Sequence, residues 1–155
     1  MDISVTFTLN GKQVTVKAPA AKSLLRTLRE DLGIISVKPG CEAGECGACT
    51  VLMDGKAVTS CLVMISQVEG HQIVTAEGLV RDGKLDPLQE AFVDEGASQC
   101  GYCTPGFVMS AKGLLLEKPN PNENEILEAI GGNICRCGAY PRIISAIKKV
   151  SGEQH

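Results

Sequence analysis

Eight cysteines in a chain of 155 residues, with only two histidines beside them, limit what this sequence can fold into more than any other feature. In a secreted protein such a count reads as a disulfide framework. The start, Met1-Asp2-Ile3-Ser4, lacks the basic and apolar segments of an export signal, and the chain has no adjacent arginine pair. The expectation is therefore a cytoplasmic protein whose cysteines serve metal or redox chemistry. With His71 and His155 the only histidines, most zinc patterns and the two-histidine Rieske site lack ligands.

Cys41, Cys46, Cys49 and Cys61 are spaced C-x4-C-x2-C-x11-C. The first three match the spacing of plant-type [2Fe–2S] ferredoxins. Thiolates bind iron, and two irons with bridging sulfides make a compact anionic core. A tight loop must wrap that core and aim backbone N–H groups at sulfur, which offsets charge and tunes potential. Gly40, Gly44 and Gly47 supply the dihedrals and the close approach this needs. A structural zinc site and two disulfides are the competing readings. Zinc fits badly, because its usual pattern is two separated C-x2-C knuckles.

The other four cysteines are less specific by spacing. Cys100 and Cys103 form C-x2-C, and Cys135 and Cys137 form C-x-C after 31 intervening residues. A zinc site, a redox dithiol and a second cluster all remain open. A thioredoxin-like motif is disfavoured, because the strand–motif–helix context is missing. Thr104-Pro105 places one pair near the N-terminus of a helix, where thiolate is favoured.

Periodicity divides the chain in two. In the first half, Ile3, Val5, Phe7 and Leu9 alternate with polar residues, predicting a half-buried strand. Asn10-Gly11 predicts a hairpin leading to a second strand around 13–17. Ser23 predicts the cap of a helix with Leu24, Leu25, Leu28 and Leu32 on one face, ended by Gly33. Strands at 50–53 and 57–60 flank Asp54-Gly55, and a last strand covers 72–75. A small sheet gripping one helix, an α+β arrangement, follows.

The second half predicts four helices. The first covers 87–95, and the second has Thr104 as cap and Pro105 in first position. The third opens on an Asn122–Glu125 capping box and stops at Gly131-Gly132, and the fourth opens at Pro141. Four short amphipathic helices imply a small bundle, with each cysteine pair in a turn before a helix. The expected division is 1–76, a linker at 77–86, and 87–155.

Composition removes other classes. Net charge is −3, so no electrostatic footprint for nucleic acid exists, and three phenylalanines, two tyrosines and no tryptophan make a base-stacking surface unexpected. No apolar run approaches the length of a membrane span. No Gly-rich dinucleotide fingerprint is present, so no flavin is expected on this chain.

Three segments resemble a known family. They are Cys41-Glu42-Ala43-Gly44-Glu45-Cys46-Gly47-Ala48-Cys49-Thr50-Val51, Gln99-Cys100-Gly101-Tyr102-Cys103-Thr104-Pro105-Gly106 and Gly132-Asn133-Ile134-Cys135-Arg136-Cys137. Together they resemble the iron–sulfur subunit of molybdenum hydroxylases of the xanthine dehydrogenase, aldehyde oxidoreductase and carbon monoxide dehydrogenase type, nearly end to end. The resemblance implies a β-grasp, plant-type ferredoxin-like domain followed by an all-α four-helix domain. It implies a cluster nearer the molybdenum cofactor on Cys100, Cys103, Cys135 and Cys137, and a farther one on Cys41, Cys46, Cys49 and Cys61. Gln99 and Cys137 would touch the pterin of a large partner subunit, and FAD would sit on a medium subunit. The implied role is a one-electron relay in the hydroxylation of an N-heterocycle (purine-like) or an aldehyde. A free-standing ferredoxin-like carrier is the alternative, and a zinc-stapled interaction module is a third.

Where many members have Thr-Gly-Tyr after the C-x-C pair, this chain has Gly138-Ala139-Tyr140, a variant resembling the branch acting on aldehydes and some N-heterocycles. Other residues carry plainer expectations. Glu42 and Glu45 read as loop or interface groups, Lys148-Lys149 as a solvated helix face, and Met53, Met64 and Met109 as core or interface. Arg136 reads equally as a residue tuning the cluster or as a salt bridge. His71 reads as a loop residue and His155 as a mobile terminus.

Overall fold

A computed structural model describes residues 1–152; His155 lies outside the described residues. The sheet begins with β1 (Asp2–Leu9) and β2 (Lys12–Pro19), antiparallel across an Asn10-Gly11 turn. Both turn residues have positive φ, 50° and 82°, as a two-residue hairpin of matching twist requires. The antiparallel pair β3 (Thr50–Met53) and β4 (Lys56–Thr59) repeats the device across Asp54-Gly55. Strand β5 (Gln72–Val74) lies between the hairpins, parallel to β1 and antiparallel to β3, giving the order β2-β1-β5-β3-β4.

One face of this sheet holds the helix that starts at Ser23. Ser23 Oγ accepts from Arg26 N at 3.2 Å, capping α1 (Leu24–Arg26). Leu24, Leu25 and Leu28 are fully buried against Val5, Phe7, Val16, Val51 and Ile73. The expectation of one regular helix to Gly33 needs correction. After Arg26 the coil widens to a π-turn over Thr27–Asp31, closed by Leu32 N on Thr27 O at 3.2 Å, and Leu32 is only partly buried. Thr27 is buried and its hydroxyl bonds back to Ser23 O at 3.1 Å, a local bond that competes with regular helix geometry.

The helical lobe contains α2 (Pro87–Asp94), α3 (Thr104–Glu117), α4 (Glu123–Ile130) and α5 (Tyr140–Val150). Asp86 and Gln89 form a reciprocal capping box on α2, and Asn122 and Glu125 form the expected one on α4. Helix α3 starts one residue earlier than the sequence predicts. Cys103 is in the cap position, with Cys103 O accepting from Phe107 N at 3.2 Å, and the Thr104 hydroxyl bonds Ser98 Oγ at 3.0 Å instead of capping. Phe92, Phe107, Met109, Leu115, Ile126, Ile143 and Ile147 fill the core of this lobe.

The two lobes share a packed seam. Successive residues of β3 face opposite ways, so Val51 joins the sheet core and Leu52 joins the helical core. Residues 77–86, the expected linker, and Ala76 before them make ordered contacts. They form a 3-10 turn at Ala76–Leu79, Leu79 is buried in the helical core, and Gln89 Nε2 donates to Ala76 O at 3.0 Å. Asp86 also pairs with Lys112 Nζ at 2.8 Å, both side chains nearly buried. No helix among the described residues is long and apolar enough to cross a membrane.

The seam leaves no slack at Gly106. A Cβ there would lie 2.3 Å from Gly47 O. The Gly106→Ala protein should lose about 1–3 kcal/mol, the usual range for overpacking. Thermal unfolding checks this, and an unchanged midpoint would contradict it.

Candidate iron–sulfur centres

The first cysteine group surrounds a loop that runs from residue 38 to the start of β3. The glycines work in different ways. Gly44 and Gly47 have positive φ, 79° and 71°. Gly40 is required by proximity instead, since a Cβ there would lie 2.5 Å from Cys46 Sγ. Glu42 also has positive φ, 52°, which the glycine pattern did not foretell, and its carboxylate pairs with Arg26 Nη2 at 2.7 Å.

The loop aims backbone donors at sulfur. Cys41 Sγ accepts from Ala43 N and Glu45 N at 3.3 Å and from Cys46 N at 3.4 Å, and Cys46 Sγ accepts from Cys41 N at 3.4 Å. The N–H groups of Ala43, Cys46 and Glu45 bring the Cys41 thiol down to about 7. Cys61, at the end of the β3–β4 hairpin, is pushed up to about 11 by burial and by the neighbouring Cys49 thiol, with Cys41 also in electrostatic reach. Cys41 and Cys46 are thus joined by N–H bonds to sulfur, and Cys49 lies beside Cys61, which Cys41 also reaches.

The second group lies in the turns before α3 and α5. Cys103 is pushed up to about 12 by burial, then by Cys135 beside it and by Cys100. Burial opposes ionisation of Cys135 as well. The N–H of Ala139, the Cys103 thiol and the N–H groups of Cys137 and Gly138 outweigh it and hold Cys135 below the ordinary thiol range. Cys100, Cys103 and Cys135 therefore converge, and Cys137 lies two residues on, exposed, with its N–H turned to Cys135 Sγ. Gln99 is exposed beside Cys100.

Every cysteine is a free thiol. Among the described residues, no three Cys, His, Asp or Glu side chains gather tightly enough for one metal ion. Two groups of cysteines, each with N–H groups directed at a sulfur, suit a two-iron core, which divides its ligands between two irons.

Several supporting residues are not apparent from the sequence. Tyr140 Oη accepts from Cys135 N at 2.8 Å, and its ring meets Phe107 edge-on at 5.8 Å. Asn133 and Tyr102 bond to the first cysteine loop across the seam. Their only signal is their place inside the cysteine motifs. The plainer expectations divide. Met109 is buried, Met53 partly buried and Met64 exposed. His71 bonds Asp54, Lys148 and Lys149 pair with Glu123 and Asp94, and Arg136 is exposed with no ion pair among the described residues.

Comparison with known proteins finds two iron–sulfur domain families in chain order. Residues 7–79 match the 2Fe-2S iron-sulfur cluster binding domain family, and residues 75–148 match the [2Fe-2S] binding domain family. The chain is 46% identical to the nicotinate dehydrogenase small FeS subunit of Eubacterium barkeri, over 94% of this chain and 93% of that one. It is also 46% identical to the nicotine 6-hydroxylase small subunit of Paenarthrobacter nicotinovorans, over 97% and 91%. The crystal structure of quinoline 2-oxidoreductase from Pseudomonas putida 86 superposes with a TM-score of 0.93 at 41% identity, covering 97% of this chain and 93% of that one. With both domain families in order and near-complete coverage, the chain belongs to the small iron–sulfur subunits of the molybdenum hydroxylases, carriers of two [2Fe–2S] clusters that transfer electrons within a multi-subunit oxidoreductase.

Proposed function

We propose that Cys41, Cys46, Cys49 and Cys61 hold one cluster and Cys100, Cys103, Cys135 and Cys137 the other. The observation that carries this is that thiols of each group lie around one sulfur, Cys41 or Cys135, that already accepts backbone N–H bonds. When bound, each cluster takes up and releases one electron at a time. The chain's own residues position, insulate and tune. The N–H groups around Cys41 and Cys135 favour the thiolate that iron requires. Tyr140 holds the Cys135 backbone, and Phe107 holds Tyr140.

Electrons enter at the helical lobe and leave from the sheet lobe. Exposure suits both ends of such a relay: Gln99, Cys100 and Cys137 are open before α3 and α5, where a partner's pterin would meet Gln99 and Cys137, and Cys41 is open in the sheet lobe. The donor is a molybdenum–pterin centre on a large subunit, and the acceptor is FAD on a medium subunit or an external carrier. The assembly hydroxylates an N-heterocycle or an aldehyde, and the names of the relatives support the former. The functional domains are 1–76 and 87–155, joined by 77–86. Free thiols serving iron suit a reducing compartment, the cytoplasm.

Metal and sulfide analysis of the natively purified protein tests the assignment. About four irons per chain are expected, two for each cluster, with matching sulfide. A molybdopterin-bearing large subunit should copurify. Zinc without sulfide would overturn the ligand assignment, and a chain that migrates alone would favour the free carrier.

A further inference from the structure

We propose that Asn133 and Tyr102 are positioning residues for electron transfer between the two centres, each pinning one end of the first cysteine loop to a turn of the second group. The proposal rests on the ligand assignment above. Asn133 is 5% exposed, and both ends of its amide are used: Nδ2 donates to Gly47 O at 3.2 Å, and Oδ1 accepts from Ser110 Oγ at 2.7 Å. The next residue continues the contact, with Ile134 N donating to Cys46 O at 3.0 Å. Cys46 belongs to one ligand group and Ile134 adjoins Cys135 of the other, so covalent bonds and a single hydrogen bond connect the two.

The other end of the loop is held separately. Tyr102, between Cys100 and Cys103, donates its hydroxyl to Pro39 O, and Lys38 Nζ sits 5.9 Å from its ring centroid. Pro39 is two residues before Cys41 and Gly47 is one after Cys46, so the two anchors bracket the loop. One anchor would let the loop pivot; two fix its separation and its orientation. Packing enforces the Asn133 anchor, because a Cβ on Gly47 would lie 2.5 Å from both Asn133 Nδ2 and Gly132 O. The transfer these residues serve moves one electron from the helical-lobe centre to the sheet-lobe centre and makes or breaks no bond.

The test uses the holoenzyme with Asn133→Asp, Ser110→Ala or Tyr102→Phe. Reduced with dithionite, both centres are paramagnetic, and each splits the other's electron paramagnetic resonance signal according to separation and orientation. The expected result is unchanged iron content, both signals retained, and a shift in their mutual splitting. Unchanged splitting in variants that keep both signals overturns the proposal, even if their thermal stability falls, because the residues would then be merely structural. Where Asn133→Asp does not load its clusters, Ser110→Ala and Tyr102→Phe, which each remove one hydroxyl, decide between the same two outcomes. If the unsubstituted holoenzyme lacks two cluster signals, the ligand assignment falls first and takes this proposal with it.

Discussion

Cys49→Ala and Cys135→Ala should each halve the iron content, from about four irons per chain to about two, since each cluster holds two. They should do so in opposite lobes. Both side chains are buried, 3% and 8% exposed, and alanine fits each backbone, so the lobes should still form. Cys49→Ala should abolish the electron paramagnetic resonance signal of the sheet-lobe cluster and keep the other. Cys135→Ala should do the reverse. Electron delivery to the final acceptor should vanish in both, because a series relay fails at any missing step. Where it fails distinguishes them. With Cys49→Ala, electrons should still reach the helical-lobe cluster and stop; with Cys135→Ala, they should not leave molybdenum. Full iron in either variant, or loss of the same signal from both, would contradict the proposed ligand groups.

The local parts of this structure were readable because their causes are local. Alternation in β1, the Asn10-Gly11 turn, the Asn122–Glu125 capping box and the start of α4 depend on residues within one or two turns of each other. The cysteine loop was legible for the same reason, since three of its cysteines span nine positions. What was not legible depends on distant partners. Nothing in Gln72-Ile73-Val74 indicates that three residues will occupy the middle of a sheet between two hairpins. Thr104 reads as a cap until Ser98 supplies another partner for its hydroxyl. Asn133 has no role legible in its own neighbourhood, and it is Gly47, 86 positions away, that gives its buried amide an acceptor. The second cysteine group was ambiguous by spacing because its two halves meet only through bundle packing. Family resemblance supplied what that spacing could not.

The buried pair of Asp86 and Lys112 supports the second large prediction. Asp86 caps α2 through Leu88 N at 3.0 Å and meets Lys112 of α3 at 2.8 Å, with side-chain exposures of 13% and 9%. It also ends the segment that joins the lobes, so one carboxylate fixes a helix start and ties it to a neighbouring helix. Lys112→Met should destabilise the protein by about 3–5 kcal/mol, the usual effect of leaving one buried charge without its partner. Asp86→Ala should do as much, with about 1 kcal/mol more for the lost cap. The double variant Asp86→Asn with Lys112→Met removes both charges, and its asparagine keeps the oxygen that caps α2. Replacing a whole buried pair is often near neutral, so most of the loss should be recovered, and a double-mutant cycle closed by the Asp86→Asn and Lys112→Met single variants, read by thermal or urea unfolding, measures the recovery. Additive losses would mean that the two charges are stabilised independently by other groups and that the pair does not hold α2 to α3.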